Sequence, residues 1–461
     1  MNGGRTPWKL ATIVGVVAGT VAGSALAVLV DSGTAQRADA SPEPWIEASH
    51  LPPLLTVADE PAELRYDAFC LAEEDADEPC EVDATVYVRR GDSGDFRELP
   101  VTDDRGSSQG RLVALVPPEL SRAPQGFSYY AVLRASRTGA TVTLPAGGAT
   151  APQRSRPLGR AVEVSLEEHR FGAVRRPAAR VVAAPWGSGV GAVGLEPGRQ
   201  LTPIGGSSFD VAADGTVHIL DEANRRILRW RPGATAPDEV PVAINGTIAE
   251  LAVAADGTAH VLETTAEPGE RAVLRTFDAR GKAIARTALV ERGSQLRVGP
   301  GGDAIVLQQP SGQWMAAFEA NRPASGPRQR ATGRAGRSLA NGEELVVLQT
   351  GSELRVALVG GRSVRQSWRI TSASELAEVQ LAERIGRSVV VVVRVYSEGV
   401  DEFRVLVLGE RGLVESFPVA SADWAETAPL ARFRVRESSL YQLGSTPNGL
   451  FVDRFDLEVA R

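Results

Sequence analysis

A chain of 461 residues exceeds one ordinary hydrophobic core, so two or three domains are expected, each large enough to bury substantial apolar surface. Its net charge of −7, with arginine supplying nearly all the positive charge, excludes the broad basic face that a nucleic-acid partner requires. The 47 glycines and 29 prolines are turn formers, frequent enough to favour many short strands over long helices yet below the proportion of a disordered chain.

The first element is an export signal. Arg5 and Lys9 precede an uncharged apolar run from Leu10 to Val30, long enough to span a bilayer as a helix, and Ala38-Asp39-Ala40 offers a small-x-small cleavage site. A signal peptide over 1–40 and a retained signal anchor through residues 10–30 therefore both fit. Either way the basic residues hold the N-terminus in the cytoplasm and leave the rest extracytoplasmic, secreted or anchored to the cell membrane. In that compartment the only two cysteines, Cys70 and Cys80, are expected to form one disulfide closing a short loop. The acidic stretch between them, continued by Glu81 and Asp83, lacks the D-x-[DN]-x-[DN]-G spacing of a calcium loop and reads as solvated.

Residues 50–145 alternate as short strands, such as Ala84 to Val88 and Arg111 to Val116, separated by Gly, Asp and Pro turns, which predicts a small antiparallel β-sandwich. The runs ATVYVRRGDSGDFRELPV, RLVALVPPEL and GFSYYAVLRASRTGATVTLP resemble bacterial Ig-like or fibronectin-III-like modules. Arg134 stands where such modules commonly carry Asp. Within this region Gly91-Asp92-Ser93-Gly94 is similar to the nucleophile motif of trypsin-like proteases, but the only upstream histidine is His50 and no oriented base is in sight. Arg90-Gly91-Asp92-Ser93 also matches an integrin-binding tetrapeptide. Both matches are read as an ordinary hairpin turn. Residues 146–160, rich in Pro and Gly and without apolar periodicity, read as an interdomain linker.

From 161 to 461 an internal repeat dominates. Phe209-Asp-Val-Ala-Ala-Asp-Gly-Thr-Val-His-Ile-Leu220 recurs as Leu251-Ala-Val-Ala-Ala-Asp-Gly-Thr-Ala-His-Val-Leu262 and more loosely as Leu296 to Leu307. Each copy is a strand, a turn whose glycine supplies positive φ, and a second strand. Fainter copies lie at Ser338 to Leu348, at the apolar run Ser388 to Val395, and at Ser439 to Leu443 with Gly449 to Phe455. Their spacing of roughly 40–50 residues is the length of a four-stranded blade, so the second domain is expected to be a β-propeller of about six blades and the whole protein all-β apart from its N-terminal helix. The clearest copy resembles the NHL-type propeller repeat through Asp214-Gly215, Asp221 and Asn224-Arg225-Arg226-Ile227. By that resemblance Asp214, Gly215, Asp221, Asn224 and Arg226, with Asp256 and Gly257 in the next copy, are structural, Arg226 tied to neighbouring carbonyls or to Asp221. Gly189-Val-Gly-Ala-Val-Gly194 satisfies G-x-G-x-x-G, but the following Leu-Glu-Pro-Gly cannot open a phosphate-binding helix, so a propeller connection is expected.

His218 and His260 occupy equivalent places in successive copies and are the candidates for a metal, against a plain reading as half-buried strand residues. Hydroxyglycine lyases with this propeller type draw zinc-ligand histidines from the preceding strand, where this chain has Ser207-Ser208 and Glu250-Leu251. No catalytic set and no cofactor is expected. The composition and architecture together point to a monomeric, non-enzymatic extracytoplasmic binding or scaffold protein whose propeller face takes a protein, peptide or glycan. The alternative is a lyase or lactonase-like hydrolase using a divalent metal in the axial pocket. Convergent Glu, Asp, Asn or His around the channel would favour that enzyme; an apolar or arginine-plugged channel would oppose it.

Overall fold

The computed structural model describes residues 45–459 except for short segments, the longest of them 72–80, 264–271 and 325–336. The expected signal or anchor, residues 1–40, lies outside the described residues, as does Cys80 with the side chain of Cys70. Among the described residues there is no α-helix, only one 3-10 turn, Gly148–Thr150, and no helix long and apolar enough to cross a membrane.

Two sheets form the first part. Trp45–His50, Ala62–Leu71, Leu112–Val116 and Val101–Asp103 make one; Leu55–Val57, Gln153–Leu158, Phe127–Ala135, Val82–Arg90 and Arg97–Leu99 make the other, with Thr141–Leu144 branching from Phe127–Ala135. Strand alternation sends Leu64, Tyr66, Val86, Val88, Tyr129, Ala131 and Leu133 into one shared core, so this part is a β-sandwich. Each such aliphatic or aromatic side chain contributes about 1.5–3 kcal/mol on burial. One element departs from expectation. Gln153–Leu158, within the stretch read as linker, is a strand between Phe127–Ala135, antiparallel, and Leu55–Val57, parallel. Its inward residues Gln153 and Ser155 are polar, Ser155 facing the Thr56 hydroxyl at 3.3 Å, which is why no apolar period betrayed it.

Beyond residue 178 the chain lays down four-stranded antiparallel sheets in sequence order: 208–241, 249–288, 292–323, 337–372 and 376–420. A sixth, 433–456, has only three strands of its own, and Ala179–Pro185 completes it as the outer strand by pairing with Gly449–Asp456. Val162–Leu166 adds a parallel fifth strand to the outer edge of the 337–372 sheet. The pairing Ser439 to Leu443 with Gly449 to Phe455, read as one repeat, is instead the second and third strands of that last sheet, and its first strand is Phe433–Arg436.

Among the described residues, neighbouring sheets share an apolar core at every junction except that of 292–323 with 337–372, and inner strands feed the cores on both of their faces. In Ser388–Ser397, Val389, Val391, Val393 and Val395 join the core shared with the 337–372 sheet, while Val390 and Val392 join the one shared with the 433–456 sheet. That double burial explains the unbroken valine run. Shared cores likewise join 433–456 to 208–241, 208–241 to 249–288, and 249–288 to 292–323. First strands lie side by side, Ser208–Val211 against both Ala249–Val253 and Phe433–Arg436. This is the arrangement of a β-propeller, with the first strand of each sheet innermost.

The repeated turns are built alike. In the first, Ala212 N–H donates to Thr216 O at 2.9 Å, Thr216 N–H to Asp214 Oδ1 at 2.9 Å, and Gly215 takes φ +82°. In the second, Ala254, Thr258, Asp256 and Gly257 at φ +84° repeat this pattern. A side chain at either glycine would hold the backbone in the left-handed region at a cost of about 1 kcal/mol or more.

Candidate functional site

Alternate residues of an innermost strand point to opposite faces of its sheet, so where one face is apolar the other can place a polar side chain beside the axis. Phe209 and Val211 flank Asp210; Leu296 and Val298 flank Arg297; Phe433 and Val435 flank Arg434. Arg337, Glu383 and Arg436 reach the same place from Arg337–Ser338, Leu376–Ile385 and Phe433–Arg436. The result is an axial cavity of about 300 Å³. Its walls at the repeated turns are small: Ala212, Ala213, Ala254, Ala255 and Gly299.

A network of charge fills the inner wall. Arg297 spans two carboxylates, Nη1 to Glu250 Oε1 at 2.9 Å and Nε to Glu383 Oε1 at 3.1 Å. Arg337 Nη2 takes the other Glu383 oxygen at 2.7 Å, and Arg434 Nη2 returns to Glu250 Oε1 at 3.1 Å. Backbone amides complete the carboxylates: Leu296 N–H donates to Glu250 Oε2 at 2.7 Å, and Asp210 accepts Val253 N–H at 2.7 Å and Val211 N–H at 2.8 Å. Arg436 is the exception in exposure, its side chain 39% accessible against 7% for Arg434. Its Nε donates to Val211 O at 2.7 Å and its Nη2 stands 3.8 Å from Asp210 Oδ1.

Burial and charge oppose each other in this network. Burial pushes the Glu250 carboxyl up, against the pull of Arg297 and Arg434. Burial acts on Glu383 too, but Arg337 and Arg297 outweigh it and hold that carboxyl below the usual range. Burial, reinforced by repulsion from Arg297, holds the Arg434 guanidinium below the ordinary arginine range.

The histidines singled out from sequence do not line this cavity. His218 and His260 sit on second strands, opposite Asp210 and Ala252 respectively. Burial brings each ring down to about 4, so both are neutral at neutral pH. His260 Nδ1 is 3.1 Å from the Thr276 hydroxyl and its ring packs edge-on to Phe318. Among the described residues no three of His, Cys, Asp and Glu gather in a way that could hold a metal ion. Of the residues flagged at the zinc-equivalent positions, Glu250 belongs to the axial network, while Ser207 contacts buried Glu222 and the Ala249 carbonyl.

Asp221, Asn224 and Arg226 form a separate cluster. Arg226 donates from Nε to the fully buried Asp221 at 2.9 Å, from Nη1 to Glu239 at 2.8 Å and from Nη2 to Ala192 O at 2.8 Å. Asn224 Nδ2 reaches Asp221 at 2.8 Å and Gly187 O at 3.1 Å. Asp221 also accepts the Gly194 N–H at 2.9 Å. These bonds hold the 187–194 segment as a connection into the blade, with no helix among the described residues that follow it. In the sandwich, His50 is occupied by Arg65 O at 2.6 Å and the Tyr129 hydroxyl at 2.8 Å, while Ser93 lies exposed in the turn joining Val82–Arg90 to Arg97–Leu99.

The axial arginines belong to no histidine pattern or turn motif of the sequence. The signal was present in the alternation itself: the residue between the two apolar positions opening each repeat is Asp210, Ala252 and Arg297.

No protein-family model matches the chain, and no curated protein matches it in sequence. Among solved structures, similar folds include virginiamycin B lyase from Staphylococcus aureus, with 10% identity, TM-score 0.33, and coverage of 54% of this chain and 94% of that one. A streptogramin B lyase structure shares 9% identity at TM-score 0.30 over 81% of this chain and 98% of its own. YCF48 bound to D1 peptide shares 11% identity at TM-score 0.30 over 63% and 99%. Likenesses at this level carry no argument about what the present chain binds or does.

Proposed function

We propose that the chain is a non-enzymatic extracytoplasmic binding protein. In this reading residues 1–40 direct export, an Ig-like or fibronectin-III-like sandwich acts as spacer, and a six-bladed propeller of NHL type presents a face to a protein, peptide or glycan. The observation that carries it is the state of the axial carboxylates. Glu250 and Glu383 are engaged by guanidinium groups, and Asp210 by two backbone amides. A carboxylate that is to move a proton or hold a metal needs lone pairs open to substrate or ion. Carboxylates that carry a fixed donor on each oxygen serve instead to position arginines and backbone, and an arginine-lined opening suits recognition.

The test starts with the full chain, tagged at its C-terminus and expressed in cells that are then fractionated. Recovery outside the cytoplasm is expected, beginning at Met1 if the anchor is retained or at Ser41 if cleavage follows Ala40. Mass spectrometry with and without reductant should reveal one disulfide between Cys70 and Cys80. Cytoplasmic retention would overturn the export reading. Turnover of a lactone or cyclic peptide that Glu250→Gln abolishes would overturn the non-enzymatic one.

A further inference from the structure

We propose that the axial cavity is a binding site for an oxyanion, a carboxylate or phosphate group of a small molecule or peptide, gripped by Arg436 at the mouth and Arg434 beneath it. The proposal deepens the binding-protein reading and rests on it for the identity of the natural ligand only.

The first argument is charge balance. Among the described residues of the cavity and its inner wall, Arg297, Arg337, Arg434 and Arg436 face Asp210, Glu250 and Glu383, four cations against three carboxylates. The three enclosed guanidiniums balance the three carboxylates, and the excess cation is Arg436 at the mouth, 39% accessible, where an anion can reach it from solvent. Burial already acts against the Arg434 charge, and an anion in the cavity would relieve it.

Geometry supplies the second argument. Every other guanidinium in the network holds a carboxylate oxygen within 3.1 Å, whereas Arg436 has only Asp210, 3.8 Å from Nη2. Its Nε is anchored on Val211 O, which fixes the plane of the fork while its terminal nitrogens have no closer carboxylate. A pre-oriented fork beside an open volume is the arrangement that takes an oxyanion by two parallel hydrogen bonds. Room is provided by the alanines and glycine of the repeated turns, and a cavity of about 300 Å³ holds a small ligand or the end of a peptide.

The test is calorimetric titration of the full chain with succinate, inorganic phosphate, a short peptide with a free C-terminal carboxylate, and the same peptide amidated, each against sodium chloride at matched ionic strength. Saturable binding of at least one oxyanion is expected. Arg436→Gln should weaken it at least tenfold, since a charge-assisted pair is lost. Arg436→Lys should fall between, and Arg231→Gln, which removes the exposed Arg231–Asp238 pair, should leave it unchanged. A peptide that binds only with its carboxylate free identifies a chain terminus as the source; succinate or phosphate binding alone identifies a small metabolite. No binding beyond the chloride control, or equal binding by Arg436→Gln, overturns the site. Either result is independent of where the protein resides, so a failed export experiment and a failed anion experiment remain distinguishable.

Discussion

Arg434 Nη2 lies 3.1 Å from Glu250 Oε1, joining the first strand of the last sheet to the first strand of the second across 184 residues of sequence. Glu250 is simultaneously held by Arg297, so one buried carboxylate links three innermost strands.

Removing that carboxylate should be costly. Glu250→Ala leaves Arg297 and Arg434 buried with one counterion fewer, and breaking a buried pair from one side typically costs about 3–5 kcal/mol. Urea denaturation of the two proteins, followed by tryptophan fluorescence, measures the difference. A loss below about 1 kcal/mol would show that the network is solvated in a way its burial does not suggest.

The propeller should weaken as the medium is acidified. His218 and His260 are held neutral by burial, with ring values of about 4 against 6.5 for the free side chain. Between those limits the unfolded chain binds protons that the folded chain does not, so stability is full above about pH 6.5 and falls as pH drops toward 4. Each ring contributes a slope of roughly 1.4 kcal/mol per pH unit within the window. Replacing both with glutamine should flatten the dependence of unfolding free energy between pH 7 and pH 5; an unchanged slope would place the titrating groups elsewhere.

Arg226→Ala should release the 187–194 segment. The substitution strips the fully buried Asp221 of its guanidinium partner and removes the donor to Ala192 O, for an expected loss of about 3 kcal/mol. Hydrogen exchange should accelerate at Val193 and Gly194, whose amides donate to Pro185 O and Asp221, while exchange in the sandwich stays the same. Uniform acceleration over the whole chain would mean that this cluster supports the global fold instead of a local connection.

Local pattern was enough for the repeats. The Asp-Gly pairs at 214–215 and 256–257 mark tight turns with φ positive at glycine, and the flanking apolar runs mark strands, so the all-β character and the repeating blade unit were legible in the sequence. Polar strands and distant pairings were not. Gln153–Leu158 faces inward with Gln and Ser, and apolar periodicity is silent about a strand that fills its inner side with hydrogen bonds.

What the amino-acid sequence determined by itself is whatever acts over neighbouring residues: turn chemistry, strand period, and the apolar run at the N-terminus. Only the tertiary structure decided that Ala179–Pro185 completes the sheet formed by 433–456, and that Asp210, Glu250, Arg297, Arg337, Glu383, Arg434 and Arg436 meet at one axis. The physical reason is range. A hairpin is specified by the dihedral preferences of a few adjacent residues, whereas an ion pair between innermost strands depends on every intervening sheet stacking at the right angle, and no local window of sequence contains that sum.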